Sequence, residues 1–288
     1  YELRNGNILI DDQDLQKVTQ SSLSENISMV LQDPIIFSGT VENNIKYLKS
    51  SLNDEIAYCH DNIGSDISIF FFGGYSSDMT GTKATALSKW CFENKYNFTR
   101  FDYSGHGQSS GEFEDGGITR WSTEANEIFQ NFKNKKNIII GSSMGGWISL
   151  IVAKKNIGTI HGLVGIASAP DFVVGEWNRL SEDQKDKIKK EGRIIINWDD
   201  YEDDYVITYK FLEDGMKNML LKNTIPIICP IRLLHGKLDN VVSTSVSQTI
   251  IAKIKSKDKD LIIIDDGDHS LSRDSDLNLL FNKIDELI

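Results

Sequence analysis

One stretch of the sequence, residues 137–147, restricts the possible folds most. It begins with an apolar run that predicts a buried strand, after which Gly141 and Gly145 flank Ser143 in a G-x-S-x-G pattern before a helical segment. The glycines would let neighbouring backbone approach a serine held on a strained strand-to-helix turn. The following helix would point its N-terminus at negative charge that forms beside Ser143. The pattern therefore indicates an esterase-type site, although such a turn can also be an ordinary loop.

The composition excludes several classes of partner. The chain has 288 residues, 40% of them hydrophobic, which is enough for a sizeable core. A net charge of −11 provides no broad basic surface, so no nucleic-acid partner is expected. No apolar run reaches the roughly 18 residues that a membrane span needs, and nothing near Tyr1 resembles a signal peptide. The three scattered cysteines suggest thiols in a reducing compartment, so we expect a cytoplasmic protein without a metal site.

The first 48 residues have a different pattern from the rest. Residues 6–15 and 27–45 resemble part of the nucleotide-binding domain of ABC transporters, with Gln32 at the position of that family's Q-loop glutamine. The G-x-x-x-x-G-K-[ST] phosphate loop occurs nowhere in the chain, and the L-S-G-G-Q signature and the acidic strand are also missing. We therefore interpret residues 1–48 as an incomplete ABC transporter ATP-binding domain fragment. ATP binding is not expected, and the segment is predicted to be dispensable for catalysis.

From residue 49 to residue 288, predicted strands alternate with predicted helices. Strand, helix and strand at this spacing form right-handed crossovers, which predicts a mostly parallel sheet with helices on both faces. The strands are predicted at 55–60, 67–72, 97–103, 136–141, 162–167, 230–235 and 261–265, and the helices near 81–94, 118–133, 144–155, 244–256 and 275–287.

Residues from about 170 to 222 interrupt this alternation. Aromatic side chains such as Trp177 and Tyr209 lie there among many charges. We interpret the interval as a small cap over the site; an ordinary excursion with its own satellite core is the alternative. The acidic run at 199–204 is expected to be a solvated face, and no metal role is assigned to it.

Two further residues could activate Ser143. A serine needs a base to take its proton and a carboxylate to orient that base, and in this kind of sheet both follow the serine in the order acid, histidine. Of five histidines, only His269 follows a suitable acid, Asp239. Each residue comes just after a predicted strand, so all three would meet at the carboxyl edge of the sheet. Either residue alone could be structural, but the three together predict a catalytic triad.

Two backbone N–H groups are candidates for an oxyanion hole. Met144 directly follows the serine, and Tyr75 follows a buried strand and two glycines. The glycines could instead form a simple turn. The D-x-x-G-x-G-x-S loop at 102–109 is expected to be structural, which argues against His106 as the base.

Residues 49–288 resemble a bacterial serine hydrolase of the α/β-hydrolase superfamily, similar to the mitochondrial palmitoyl-protein thioesterases that are also mycophenolic acid acyl-glucuronide esterases. Four stretches carry the likeness: 73–84, 141–147, 169–172 and 267–272. The resemblance implies an α/β-hydrolase fold and acyl transfer from an ester or thioester to water, with no metal or organic cofactor. Matched by position, it implies Ser143 as nucleophile, Asp239 as acid and His269 as base.

The sequence thus predicts a serine hydrolase acting on a small-molecule or acylated-protein ester or thioester. The alternatives are an ABC-derived ATP-binding protein and an inactive fusion product. Peptidases, dehalogenases and lactonases use the same scaffold, so the sequence leaves the leaving group and the acyl length open.

Overall fold

The computed structural model describes residues 9–10, 13–14, 45–196 and 205–288. The chain divides into two compact units, Tyr1–Ser38 and Gly39–Ile288. In the first unit, strands β1 (Leu9–Ile10) and β2 (Gln13–Asp14) form an antiparallel pair. The predicted ABC-like segment lies largely outside the described residues, and Gln32 is among those not described.

A mixed sheet organises the second unit. Its strands are β3 (Lys46–Lys49), β4 (Glu55–Asp61), β5 (Ile67–Phe72), β6 (Asn97–Phe101), β7 (Lys136–Ser142), β8 (Gly162–Ile166), β11 (Ile231–Gly236) and β12 (Lys259–Ile264). Within the described part of the chain, these eight strands lie in the order β12-β11-β8-β7-β5-β6-β4-β3. The pairs from β12 to β6 are parallel, and β4 is antiparallel to both of its neighbours. The predicted α/β-hydrolase sheet is confirmed.

Helices cover both faces of this sheet. The described helices are α1 (Thr82–Glu93), α2 (Ile118–Phe132), α3 (Met144–Lys155), α4 (Val173–Arg179), α5 (Glu182–Glu191), α6 (Tyr209–Lys217), α7 (Thr244–Lys253) and α8 (Asp274–Asp285). Side chains alternate across a strand, so Ile69 and Phe71 of β5 pack with α1 and α8, whereas Phe70 and Phe72 pack with α2 and α3.

Helix α3 lies deep in the core. Its residues Met144–Ala153 are all buried, and its sequence is apolar on every side, as expected of a helix enclosed by other elements. Because α3 begins directly after Ser143, this packing holds the residue next to the serine in a fixed position.

The interval between β8 and β11 contains α4, α5, α6 and a separate two-stranded sheet. Strands β9 (Arg193–Ile196) and β10 (Tyr205–Thr208) pair antiparallel. The Asp214 carboxylate on α6 accepts hydrogen bonds from the Thr119 N–H (2.8 Å) and the Thr119 hydroxyl (2.6 Å) at the start of α2. This insertion is therefore joined to helix α2, which covers one face of the sheet. The acidic run at 199–204 lies outside the described residues.

Strand β3 differs from the sequence prediction, which placed the first strand of the sheet at residue 55. It begins at Lys46 and spans the predicted domain boundary between residues 48 and 49. Three of its four residues are exposed, and Leu48 is half-buried. A mostly exposed edge strand lacks the apolar pattern on which sequence-based assignment depends, so the periodicity gave no signal for it.

We expect a chain that begins at Gly39 to fold and to hydrolyse p-nitrophenyl acetate at the rate of the full chain, because it keeps the whole second unit. A chain that begins at Lys49 loses most of β3, so β4 loses backbone hydrogen bonds and Leu48 leaves the core. We expect this shorter chain to lose about 1–2 kcal/mol of stability and to unfold about 2–8 °C lower. Thermal unfolding and initial rates measure both effects.

The Gly39 chain serves as the control for the Lys49 chain. An inactive but folded Gly39 chain would contradict the expectation that the N-terminal segment is dispensable. We also expect calorimetry of the full chain to show no saturable ATP binding, because the sequence lacks the phosphate loop. Saturable ATP binding would contradict the interpretation of residues 1–48 as an incomplete fragment.

Candidate active site

Ser143 forms the turn between β7 and α3. Its backbone is left-handed, with φ +53° and ψ −118°, a conformation that costs a residue with a side chain about 1–3 kcal/mol. The Ser143 N–H donates to the carbonyl of Ile166 in β8 (2.9 Å), and the Ser143 carbonyl accepts from the Ala169 N–H (3.1 Å). These bonds to the neighbouring strand and loop hold the turn in its strained conformation.

The two glycines of the G-x-S-x-G pattern lie where backbone segments touch. A Cβ on Gly145 would overlap the carbonyl oxygens of Phe72 and Gly73 at the end of β5, and a Cβ on Gly141 would overlap the Gly145 carbonyl. Only hydrogen atoms fit at both positions. The pattern therefore lets α3 begin in direct contact with the loop after β5.

The structure brings Ser143, His269 and Asp239 into one chain of hydrogen bonds. His269 Nε2 lies 3.2 Å from Ser143 Oγ, and His269 Nδ1 lies 2.8 Å from Asp239 Oδ2. A carboxylate only accepts, so the Nδ1–H donates to Asp239. In the neutral imidazole, Nε2 then carries the lone pair that can accept the Ser143 hydroxyl proton. The three predicted residues meet because β7, β11 and β12 all end at the same edge of the sheet.

The Asp239 carboxylate is fully buried and has four N–H partners. Oδ1 accepts from the Val241 N–H (2.9 Å) and the Val242 N–H (2.8 Å), and Oδ2 accepts from His269 and from His235 Nε2 (3.2 Å). Burial alone would raise the pKa of Asp239. The hydrogen bonds from His235, His269 and Val242 outweigh it and hold the pKa of this carboxyl well below its usual range. Asp239 therefore stays ionised around neutral pH.

Sequence reasoning missed the contact between His235 and Asp239. His235 lies in β11, four residues before the aspartate in the stretch His-Gly-Lys-Leu-Asp. That spacing is the only sequence signal for the contact, and it becomes informative once the turn after β11 is known.

The residues that carry the two predicted oxyanion donors, Met144 and Tyr75, lie next to Ser143 and in the loop after β5 that contacts it. Met144 is the first residue of α3, so its N–H belongs to the helix N-terminus, where backbone donors lack partners within the helix. Gly74, which precedes Tyr75, packs against the serine, since a Cβ there would lie 3.5 Å from Ser143 Cβ. The loop after β5 therefore lies beside Ser143, and the oxyanion role of Tyr75 stays a prediction.

The side chain of Tyr75 connects this loop to the insertion. Its hydroxyl donates to the carbonyl of Val206 in β10 (2.9 Å). Its ring packs against Phe113, Phe211 and Phe172, with centroid distances of 4.8, 5.1 and 6.1 Å. Tyr75, Phe113, Phe172 and Phe211 thus form an aromatic layer through which the loop after β5 contacts the insertion.

A cavity of about 260 Å³ opens beside Ser143 and His269. Its lining includes Tyr75, Lys83 and Ser272, so it combines an aromatic ring with polar groups. The Lys83 ammonium donates to the Ser270 carbonyl and to Ser272 Oγ (3.3 Å), which joins α1 to the loop that carries His269. Burial lowers the pKa of Lys83.

The loop at 102–109 is held by its own hydrogen bonds. The Asp102 carboxylate accepts from the Met79 N–H (2.6 Å) and the Gln108 N–H (2.9 Å). His106 is buried among aromatic rings, its Nδ1–H donates to the Ser104 carbonyl (3.2 Å), and burial lowers its pKa. These contacts hold the loop at 102–109 in place, as its predicted structural role requires.

Among the residues that the structure describes, no group of three His, Cys, Asp or Glu side chains could hold a metal ion. All three cysteines are free thiols. Within the same ranges, the helices are too short or too polar to cross a bilayer.

The strand order, the serine turn and the acid and histidine after the following strands define a serine hydrolase of the α/β-hydrolase fold. Residues 66–198 match the family described as serine aminopeptidase, S33. The chain is 34% identical over 229 residues to the mitochondrial palmitoyl-protein thioesterase ABHD10 of Rattus norvegicus, a match that spans 78% of this chain and 76% of the relative. The chain therefore belongs to the α/β-hydrolase family that includes ABHD10.

Solved structures agree with this assignment. A putative hydrolase from Agrobacterium vitis S4 has a TM-score of 0.79 and 32% identity, over 85% of this chain and 99% of that one. The mouse α/β hydrolase domain-containing protein 10 has a TM-score of 0.78 and 31% identity, over 85% of this chain and 98% of that one.

A separate stretch of 55 residues is 42% identical to the ABC transporter ATP-binding protein YfiC of Bacillus subtilis, and the match covers 19% of this chain and 9% of that protein. Both predicted resemblances are confirmed.

We expect Gly145→Ala to lower kcat/KM for p-nitrophenyl acetate by about 10²-fold, because the new methyl group must push the serine turn away from the loop after β5. Gly175→Ala is the matched control, since that glycine lies in helix α4 with no atom within 4 Å of the added Cβ. It should keep native activity. Native activity in Gly145→Ala would show that the close approach is unnecessary.

Proposed function

We propose that the protein hydrolyses carboxylic esters or thioesters through an acyl-enzyme intermediate, with Ser143 as nucleophile, His269 as general base and Asp239 as the orienting acid. The observation that carries this proposal is the hydrogen-bond chain from Ser143 Oγ to His269 (3.2 Å) and from His269 to Asp239 (2.8 Å). The buried, ionised carboxylate supports the orienting role, because it can stabilise a positive imidazolium.

The reaction follows from these contacts. Ser143 Oγ attacks the substrate carbonyl carbon while His269 Nε2 takes the hydroxyl proton. His269 then gives that proton to the departing alcohol or thiol as the bond between the carbonyl carbon and the leaving group breaks. A water molecule attacks the acyl-enzyme in the same way and releases the carboxylic acid and the free serine.

Negative charge on the substrate oxygen needs donors that are already oriented. We assign this role to the backbone N–H groups of Met144 and Tyr75. The N-terminus of α3 adds partial positive charge at the same place. The contact between Gly74 and Ser143 supports this assignment, because it brings the loop before Tyr75 next to the nucleophile.

We assign the acyl group to the aromatic layer around Tyr75 and Phe172, and the insertion at about 170–222 to a cap over it. Both rings are partly exposed, and the Tyr75 hydroxyl is bonded to β10 of the insertion. The relatives named palmitoyl-protein thioesterases support an acylated protein or a small acyl thioester as substrate. Those relatives are named mitochondrial, and the cytoplasmic location stays a prediction.

A substrate panel tests the proposal. We expect the native chain to hydrolyse p-nitrophenyl esters and acyl thioesters, and Ser143→Ala to lose this activity together with covalent labelling by a fluorophosphonate, because both need the Ser143 hydroxyl. Ser142→Ala, which removes the adjacent hydroxyl, should still be labelled. Labelling of Ser143→Ala equal to that of the native chain would contradict the assignment of Ser143 as nucleophile. Faster cleavage of aminoacyl anilides than of thioesters would favour an aminopeptidase, the activity in the matched family's description.

The roles of Asp239 and His269 can be separated from folding. We expect Asp239→Asn to lower kcat by up to about 10⁴-fold, because an amide no longer selects the Nδ1–H tautomer of His269, and His269→Ala to be at least as severe. Asp66→Asn is the matched control, since that carboxylate is exposed and pairs with Lys135 (2.8 Å). It should keep native kcat. A folded Asp239→Asn variant with native turnover would remove Asp239 from the mechanism.

A further inference from the structure

His235 is a fully buried histidine whose Nε2 lies 3.2 Å from Asp239 Oδ2. Its ring has three polar contacts. Nε2 lies 2.8 Å from the Val242 carbonyl and 3.2 Å from Asp239 Oδ2, and Nδ1 lies 2.7 Å from Ser247 Oγ in α7. Both ring nitrogens are therefore occupied by specific partners.

The Val242 carbonyl determines where the His235 proton lies. A carbonyl oxygen only accepts, so Nε2 carries a hydrogen whatever the charge of the ring. Asp239 Oδ2, at 3.2 Å from the same nitrogen, is the second and more distant acceptor of this N–H. Ser247 is fully buried as well, and its hydroxyl fixes the orientation of the ring from the Nδ1 side.

The contacts close a ring around the carboxylate. The Val242 N–H donates to Asp239 Oδ1 (2.8 Å), and the Val242 carbonyl accepts from His235 (2.8 Å), whose N–H also reaches Oδ2. Backbone N–H groups thus hold one carboxylate oxygen, and His235 holds the other, the one that accepts from His269.

We propose that His235 is a positioning residue for the hydrolytic reaction: its Nε2–H fixes Asp239 Oδ2 opposite His269 Nδ1, and Ser247 keeps the His235 ring in the orientation that makes this possible. The inference rests on the proposed function, because it concerns the same carboxylate. Without this N–H, Oδ2 has one fewer donor, and the carboxylate can rotate away from the line to His269. The loss affects turnover and not substrate binding, since His235 does not line the cavity beside Ser143.

The test compares His235→Phe with His235→Gln. Phe keeps a flat ring without a donor, whereas the Gln amide can donate from about the position of Nε2. We expect His235→Phe to lower kcat by about 10- to 100-fold with KM within about 2-fold of native, a loss smaller than that from removing the Asp239 charge. His235→Gln should lose less activity: if the Phe variant lowers kcat by about 100-fold, the Gln variant should lower it by about 10-fold or less. Rates are taken per active site, counted by fluorophosphonate titration.

Two other variants complete the experiment. His60→Phe is the matched control, because this half-buried histidine bonds Thr99 Oγ1 (2.8 Å) on β6; it should keep native kcat. If His235→Phe does not fold, Ser247→Ala decides: it keeps the imidazole, and we expect about a 2- to 10-fold loss in kcat.

Native kcat in His235→Phe, equal losses in the Phe and Gln variants, or native kcat in Ser247→Ala would overturn the inference. Failure of the proposed function looks different: Ser143→Ala would then retain hydrolysis. Loss of hydrolysis in Ser143→Ala together with native kcat in His235→Phe would refute only the positioning role.

Discussion

The close approach of the α3 N-terminus to the end of β5 is the contact on which the site depends. Gly145 packs against the Phe72 carbonyl, and this contact needs the strained turn at Ser143, which joins β7 to α3. The strain is sustained by packing elsewhere: the buried residues of α3 and the hydrogen bonds from Ser143 to Ile166 and Ala169 leave the turn no relaxed alternative. The sheet and the enclosed helix thus hold a serine hydroxyl at the carboxyl edge, facing His269.

The buried carboxylate creates a second requirement. An ionised group without exposure to water is unfavourable unless donors replace the water. Asp239 receives two backbone donors from its own turn and two imidazole donors, one of which comes from His269. The short turn after β11 therefore supplies the carboxylate together with two of its four donors.

Local patterns predicted most of the fold, and chain order predicted the proposed triad. The strand-to-helix turn at Ser143 has a sequence signature, and the strand ends before Asp239 and His269 fix their edge of the sheet. The remaining features depend on contacts that the pattern does not encode. Strand β3 is too exposed to show periodicity. The turn after β11 brings Val242 and Asp239 back to His235. The hydrogen bond of Tyr75 joins residues far apart in the chain.

The hydrogen bond from Tyr75 to Val206 has a consequence for substrate selection. Tyr75 belongs to the loop beside Ser143, and Val206 belongs to strand β10 of the insertion. In the proposed acyl site, an acyl group that displaces β10 would also displace the loop beside Ser143, because the Tyr75 hydroxyl is bonded to Val206. The fit of the distant end of the acyl chain would then change the position of the proposed oxyanion donor. Acyl groups would be discriminated by the rate of the chemical step as well as by binding, as in enzymes that select by induced fit.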